Sequence, residues 1–357
     1  MAAKIPLMLS ACLIVKNSEK FLRRCLESIC EHVDQIVVVD TGSTDNSIDI
    51  AKSFGAEVYS FKWCDDFSAA RNKSLEYAAG EWVLQVDSDH VLEVKKGFDL
   101  RRALGRARQI GFFIKEVSIL KNGGKQLLDR MLLFRRVPGL KYEGVLHEHP
   151  MASLISYAKN KGIEEPFSTL DSVRVLHYGY FDIEQKLKRN IRILERGIAK
   201  EPMNWHYRYK LLLSYESAGE KGKFDNLLKE TFSLMERNGH RGISLAMVGI
   251  AGIVGKWMLK VGYPEGDAIE FLERYYRATR GKDLRIALPL AEFYYIKGDY
   301  KRTFDILSLI LKEGYGPGFI PLTEVEKSRA FRLFSKAVEK LFSEDDRKRI
   351  LKAIGML

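Results

Sequence analysis

Apolar runs alternate with amphipathic stretches over the first part of the chain, and their periods set the elements. Residues 9–15 predict a strand. After Lys16-Asn17, with Asn17 or Ser18 as cap, Phe21, Leu22, Cys25, Leu26 and Ile29 fall on one face of a helix. Residues 35–39 predict a second strand ending in Asp40. Thr41-Gly42-Ser43-Thr44-Asp45 then turns into a helix bearing Ile48, Ala51 and Phe54, closed by Gly55 where positive φ is favoured. A third strand covers 57–61. Ser68 is the expected cap of a helix reaching Ala78, and residues 81–86 form a fourth strand that ends in Asp87-Ser88-Asp89. This alternation predicts an α/β fold, a mainly parallel sheet with helices on both faces. Ligands of such sheets bind outside the carboxyl ends of the strands. Lys16-Asn17, Asp40-Thr41-Gly42, residues 64–72 and Asp87-Ser88-Asp89 are therefore expected at one edge.

Beyond the acidic motif the pattern changes. Residues 95–108 predict a helix, and 111–120 and 126–136 two strands joined through Lys121-Asn122-Gly123-Gly124-Lys125, a hairpin signal. His147-Glu148-His149 before Pro150 and the run ending in His177-Tyr178-Gly179-Tyr180 read as site-forming, separated by a less regular stretch to about residue 172. From about residue 182 the pattern is helical to the end. Residues 1–182 and 183–357 are the two expected domains.

Composition narrows the class. The 357 residues are 46% hydrophobic, enough for real cores, and the net charge is +11. Basic residues are interleaved with acids rather than blocked, so nucleic acid is not the expected partner; anionic small ligands or acidic acceptors are. Cys12, Cys25, Cys30 and Cys64 contain no CxxC pair, and buried, reduced thiols are expected, which point to a cytoplasmic protein. The start has Lys4 but no apolar region fit for a signal peptide. Residues 243–254 are apolar, yet Lys256 stops them short of the roughly 20 residues a membrane span needs; a tightly packed helix is expected instead.

Candidate chemistry centres on Asp87-Ser88-Asp89. Side chains two apart on an extended segment point the same way, so both carboxylates can face one ligand. Hard oxygen pairs suit Mg²⁺ or Mn²⁺, ions that hold substrate phosphates. Alone the tripeptide is more simply a solvated turn; its place after a buried-looking strand reverses that.

The ordered segments 10–17, 37–45, 63–72 and 87–89 resemble family 2 glycosyltransferases of the GT-A fold. More narrowly they resemble the bacterial branch with tetratricopeptide-like helices that includes peptide glycosyltransferases modifying glycocin bacteriocins. The spacing of Leu211, Tyr215 and Gly219, repeated by Ala291, Tyr294, Gly298 and Tyr300, is similar to such helices, which serve peptide binding or dimerisation. The resemblance implies metal-dependent, inverting transfer from a UDP-sugar to a peptide or protein side chain. It assigns Val15, Lys16, Asn17, Asp40, Thr41 and Gly42 to the nucleotide, Arg71 to the diphosphate or acidic pair, and Asp87 with Ser88 to ribose and metal. Asp89 and His177 would ligate the metal, and Glu148 would be the base, with His147 competing. Rival readings are transfer to a lipid-linked or free glycan, and a tetratricopeptide interaction protein with an inactive GT-A domain.

Overall fold

The computed structural model describes residues 8–119, 124–146, 148–179, 183–238, 242–313 and 324–353. The chain divides into two compact units, Met1–Ile193 and Leu194–Leu357.

In the first unit the elements run β1 (Leu9–Val15), α1 (Glu19–Ile29), β2 (Gln35–Asp40), α2 (Ser47–Ser53), β3 (Glu57–Ser60), α3 (Phe67–Tyr77), β4 (Trp82–Gln85), β5 (His90–Val94), α4 (Leu100–Arg106), β6 (Gly111–Ile119), β7 (Lys125–Arg135), α5 (Met151–Lys161) and β8 (Phe167–His177), followed by α6 (Ile183–Lys200). All eight strands form one sheet in the order β3-β2-β1-β4-β7-β6-β8-β5. The α/β alternation expected from the sequence builds its parallel half, where β1 pairs with β2 and β4, and β2 with β3. The other half is mixed: β7 is antiparallel to β4 and β6, β8 is parallel to β6, and β5 is antiparallel to β8.

Strand alternation splits the core in two. Leu9, Ala11, Leu13 and Val15 pack with Leu22, Cys25, Leu26 and Ile29 of α1, Ala51 of α2 and Leu104 of α4. Cys12, Val37 and Val83 look the other way, toward Ala78 and the α5 residues Leu154 and Ala158. Burying each large apolar side chain stabilises by about 1.5–3 kcal/mol, and the two-sided burial makes these strands nearly all apolar.

Several expectations are corrected. The stretch to residue 172, read as irregular, contains α5, with Leu154 and Ala158 one turn apart on its buried side and Gly162 (φ 65°) ending it. A short strand, β5, follows the acidic motif and went unseen because its five residues are too few to display a period. The helix expected over 95–108 begins only at Leu100, where Asp99 accepts from the Arg102 amide. The cap of α3 is Asp66, whose Oδ1 accepts from the Ala69 amide and the Ser68 hydroxyl; Ser68 already lies inside the helix. Cys12 and Cys25 are buried, whereas Cys30 and Cys64 are exposed. The expected turn residues 121–123 lie outside the described residues.

The second unit is all helical among its described residues: α7 (Trp205–Ala218), α8 (Lys221–Asn238), α9 (Leu245–Val261), α10 (Glu265–Ala278), α11 (Leu284–Ile296), α12 (Tyr300–Glu313), α13 (Glu324–Leu341) and α14 (Glu344–Ala353). Gly219 (φ 70°) and Gly298 (φ 82°) make the tight breaks before α8 and α12. No described helix is long and apolar enough to cross a membrane. The apolar 243–254 stretch lies largely in α9, whose small residues admit neighbours: a Cβ at Gly249 would lie 2.6 Å from the Tyr209 ring, and one at Gly255 2.7 Å from Leu272.

A Cβ at Gly252 would collide with the carbonyl oxygen of Arg285 in α11, a backbone atom that cannot swing aside. Gly252→Ala is therefore expected to destabilise the protein by about 1–3 kcal/mol, whereas Gly266→Ala, with open space around it, should be neutral or stabilising by up to about 1 kcal/mol. Urea unfolding of both variants checks the contrast.

Candidate active site

The carboxyl ends of β1, β2 and β4 meet through their loops. Thr41, just past β2, donates from its amide (2.9 Å) and hydroxyl (3.1 Å) to the Val15 carbonyl. The Asp40 carboxylate closes its own turn by accepting from the amides of Gly42 (3.0 Å) and Ser43 (3.1 Å), with Gly42 at φ 102°. Asn17, at φ 48°, donates its amide to Ser43 Oγ and accepts from the Thr44 amide at 2.8 Å. The Ser88 hydroxyl donates to Ser18 Oγ at 2.9 Å. Val15, Lys16, Asn17, Asp40, Thr41, Gly42 and Ser88 thus stand on one set of interlocked loops. Two lone pairs per oxygen leave Asp40 acceptor capacity beyond its turn.

Arg71, on α3, lies beneath the acidic motif and is 5% exposed. Its Nη2 donates to Asp87 Oδ1 at 2.6 Å and its Nε to Glu148 Oε1. Two residues far apart in sequence therefore share one guanidinium. Burial works to raise the Asp87 carboxyl, but Arg71, then His90 and Arg130, outweigh it and hold it well below the usual carboxylate range. Asp66 caps α3, and Asp65, at φ 59°, accepts from Trp63 Nε1 and Arg192. His147 lies outside the described residues.

The remaining polar groups come from strand register. His90 of β5 pairs opposite His177 of β8, which in turn stands beside Ser118 of β6, so the three line up across adjacent strands. His177 Nε2 is 3.5 Å from Asp89 Oδ2, and its Nδ1 is 3.2 Å from Ser118 Oγ and 3.6 Å from Glu116 Oε1. Burial lowers the His177 pKa, but Asp89 and Glu116 prevail and carry it up to about 9. Glu116, 3% exposed, accepts from Arg130 Nη1 at 2.9 Å; burial raises its pKa, and His177 and Arg130 bring it down to about 2. The Asp87 amide donates to His90 Nδ1 at 3.2 Å, which leaves the proton on Nε2, 3.5 Å from Asp87 Oδ2 and 3.6 Å from Glu116 Oε2. Burial lowers the His90 pKa and keeps it neutral. His90, Glu116, Ser118 and Arg130 were missed by sequence reasoning; the signals available were Lys115, Glu116 and Ser118 interrupting the mainly apolar 111–120 run and a histidine abutting the acidic pair.

These groups fit a divalent cation. Ligand atoms of Asp89, His90 and His177 lie within 4.8 Å of one another. Gly179 keeps the space between two of them open, since a Cβ there would strike the Asp89 carboxylate and come 2.6 Å from His177 Nε2. His90, with its proton on Nε2 and its Nδ1 lone pair taken by the Asp87 amide, offers an ion no free lone pair, leaving Asp89 and His177 to face it. Mixed imidazole and carboxylate donors favour Mn²⁺ over Mg²⁺, which prefers oxygen. Lys186 Nζ, 3.3 Å from Asp89 Oδ2 and 3.0 Å from the Gly179 carbonyl, supplies a monovalent charge at the same place.

Two outcomes follow. Arg71→Met leaves Glu148 buried, and Asp87 partly so, without the guanidinium that joins them, and a loss of about 3–5 kcal/mol is expected by chemical denaturation. Because the folded-state pKa of His177 lies above its ordinary 6.5, its contribution to metal-free stability is full below pH 6.5 and is lost as pH rises toward about 9. The melting temperature of the metal-free protein should fall across that window, and less steeply in His177→Gln; parallel profiles would overturn the assignment.

Residues 10–144 match glycosyl transferase family 2, a span that holds Asp40, Arg71 and Asp87 to Asp89 and stops short of Glu148 and His177. The SPbeta prophage-derived glycosyltransferase SunS of Bacillus subtilis is 32% identical over 202 residues, which cover 54% of this chain and 45% of that protein. A TPR repeat-containing protein of Synechococcus elongatus is 33% identical over 175 residues, covering 48% and 42%. The chain thus spans less than half the length of these relatives. Among solved structures, Mycobacterium tuberculosis glucosyl-3-phosphoglycerate synthase in complex with Mn²⁺ and UDP-glucose is 18% identical with a TM-score of 0.35, covering 53% of this chain and 77% of that one. Staphylococcus aureus TarS 1-349 is 15% identical with a TM-score of 0.34, covering 93% and 90%. On the family match, the chain carries, over residues 10–144, a glycosyl transferase family 2 domain.

Proposed function

We propose that the protein transfers a sugar from a UDP-sugar, with inversion and with Mn²⁺ or Mg²⁺, to a peptide or protein side chain. The observation that carries this reading is the convergence of Asp89 and His177 on the space left by Gly179, in a chain whose family 2 domain includes the acidic pair. The peptide acceptor rests on the order of the four motifs and on the similarity to SunS, a glycosyltransferase.

In this reading the 15–17 loop, Asp40, Thr41 and Gly42 receive the nucleotide, Asp40 using the lone pairs its turn leaves over. Asp89 and His177 hold the cation, Asp87 and Ser88 lie by the ribose, and Arg71 fixes Asp87 from behind. A bound divalent cation supplies positive charge against the diphosphate as it departs. Glu148 removes the acceptor proton; Arg71 grips its Oε1, so Oε2 is the atom that takes it. For the helical unit we propose acceptor binding or dimerisation, and for the protein a reducing, cytoplasmic compartment that keeps its thiols free.

Incubation with a panel of UDP-sugars and candidate peptides, read by product mass, tests the reaction. A hexose-sized gain on a peptide is expected, and Asp89→Asn should reduce it at least about 100-fold with circular dichroism unchanged. Transfer only to a lipid-linked or free glycan would refute the acceptor, an equally active Asp89→Asn the metal ligand, and no turnover of any donor the enzymatic reading itself.

A further inference from the structure

Glu116 is a buried carboxylate one layer behind the acidic motif, and four polar groups face it. Arg130 Nη1 donates to its Oε2 at 2.9 Å; the Ser118 hydroxyl donates to Oε1 at 3.4 Å; His177 Nδ1 lies 3.6 Å from Oε1; and His90 Nε2 lies 3.6 Å from Oε2. A carboxylate 3% exposed persists in a core only where such partners offset its desolvation. An apolar residue would fill the same strand position without needing Arg130, so the choice of glutamate calls for a reason.

The reason lies in which nitrogen of His177 bears a proton. Ser118 gives its own hydrogen to Glu116, so its oxygen is left to accept, and the group it can accept from at 3.2 Å is His177 Nδ1–H. Glu116 Oε1 attracts the same hydrogen directly. With the proton fixed on Nδ1, the Nε2 lone pair of the neutral ring is directed at the space beside Asp89 that Gly179 keeps clear. Carboxylates and hydroxyls so placed behind a histidine set its tautomer and ring orientation and raise its basicity as a ligand. The register Ser118↔His177↔His90 across β6, β8 and β5 holds the arrangement by backbone pairing, independent of any ion.

We propose that Glu116, with Ser118 as its relay and Arg130 as its counter-ion, is a positioning residue that orients His177 for a divalent cation. The inference rests on the metal reading given under Proposed function, and it assigns Glu116 no contact with substrate or ion.

Mn²⁺ titration of the full chain, followed by the electron paramagnetic resonance signal of free Mn²⁺, tests it without any turnover. Glu116→Gln should weaken binding by about 10–100-fold with its secondary structure retained, and His177→Ala should weaken it at least as much. In the His177→Ala background, Glu116→Gln should add nothing further, a non-additivity that general loosening of the core would not produce. Unchanged affinity in Glu116→Gln, or a full extra loss in the double variant, overturns the proposal while leaving the metal site standing. A folded parent that binds no Mn²⁺, or unchanged affinity in His177→Ala, instead overturns the metal reading and the proposal with it. Should Glu116→Gln fail to fold, Ser118→Ala serves in its place: weaker Mn²⁺ binding supports the relay, and parental affinity overturns it.

Discussion

The guanidinium of Arg71 is the constraint on which the site depends. Asp87 and Glu148 stand 61 positions apart in the first unit's sequence, and Glu148 is buried and Asp87 partly so. Two carboxylates at such a place repel each other and lose hydration. A planar cation with donors fixed in a fork joins them through separate nitrogens, which a lysine ammonium on a flexible stem could not reproduce. Its own position is set by α3, whose cap Asp66 fixes the start of the helix and so the depth at which Arg71 enters the core.

Around that pair the fold adds a second layer. The parallel strands bring polar loops to their carboxyl ends, as an α/β sheet must, and those loops are tied to one another by Asn17, Thr41, Ser18 and Ser88. The mixed half of the sheet then lays His90, His177 and Ser118 side by side with Glu116 beneath them. A buried chain of contacts runs through Glu148, Arg71, Asp87, the neutral His90, Glu116 and Arg130, so that each carboxylate has a guanidinium beside it. The acidic motif is thus part of a network that begins at Glu148, passes through α3 and ends in β7.

The first half of the domain was legible because each element there satisfies a local rule. The strands are apolar where two helical layers cover them, Leu22, Cys25, Leu26 and Ile29 recur at helical spacing, and Gly55 marks a left-handed stop. Elements were lost where the local signal is short or ambiguous. The five residues of β5 gain their strand conformation from β8, and α5 has a mostly polar surface with few buried contacts. Ser68 and Asp66 both suit a cap; which of them takes it depends on where Phe67 is anchored, by its amide on the Val145 carbonyl.

By itself the sequence determined the sheet-and-helix class, the helical character of the second unit, and the residue types gathered at the loop ends, because these follow from period, turn chemistry and order along the chain. Only the tertiary structure decided that Arg71 joins Asp87 to Glu148 and that Glu116 stands behind His177. Those contacts cross 16, 77 and 61 positions of sequence, and no local preference encodes a distance between strands. The last is fixed by the register of β8 against β6, which backbone hydrogen bonding and burial settle together; the first two are fixed by the seat of α3, whose Phe67 amide is anchored on the Val145 carbonyl.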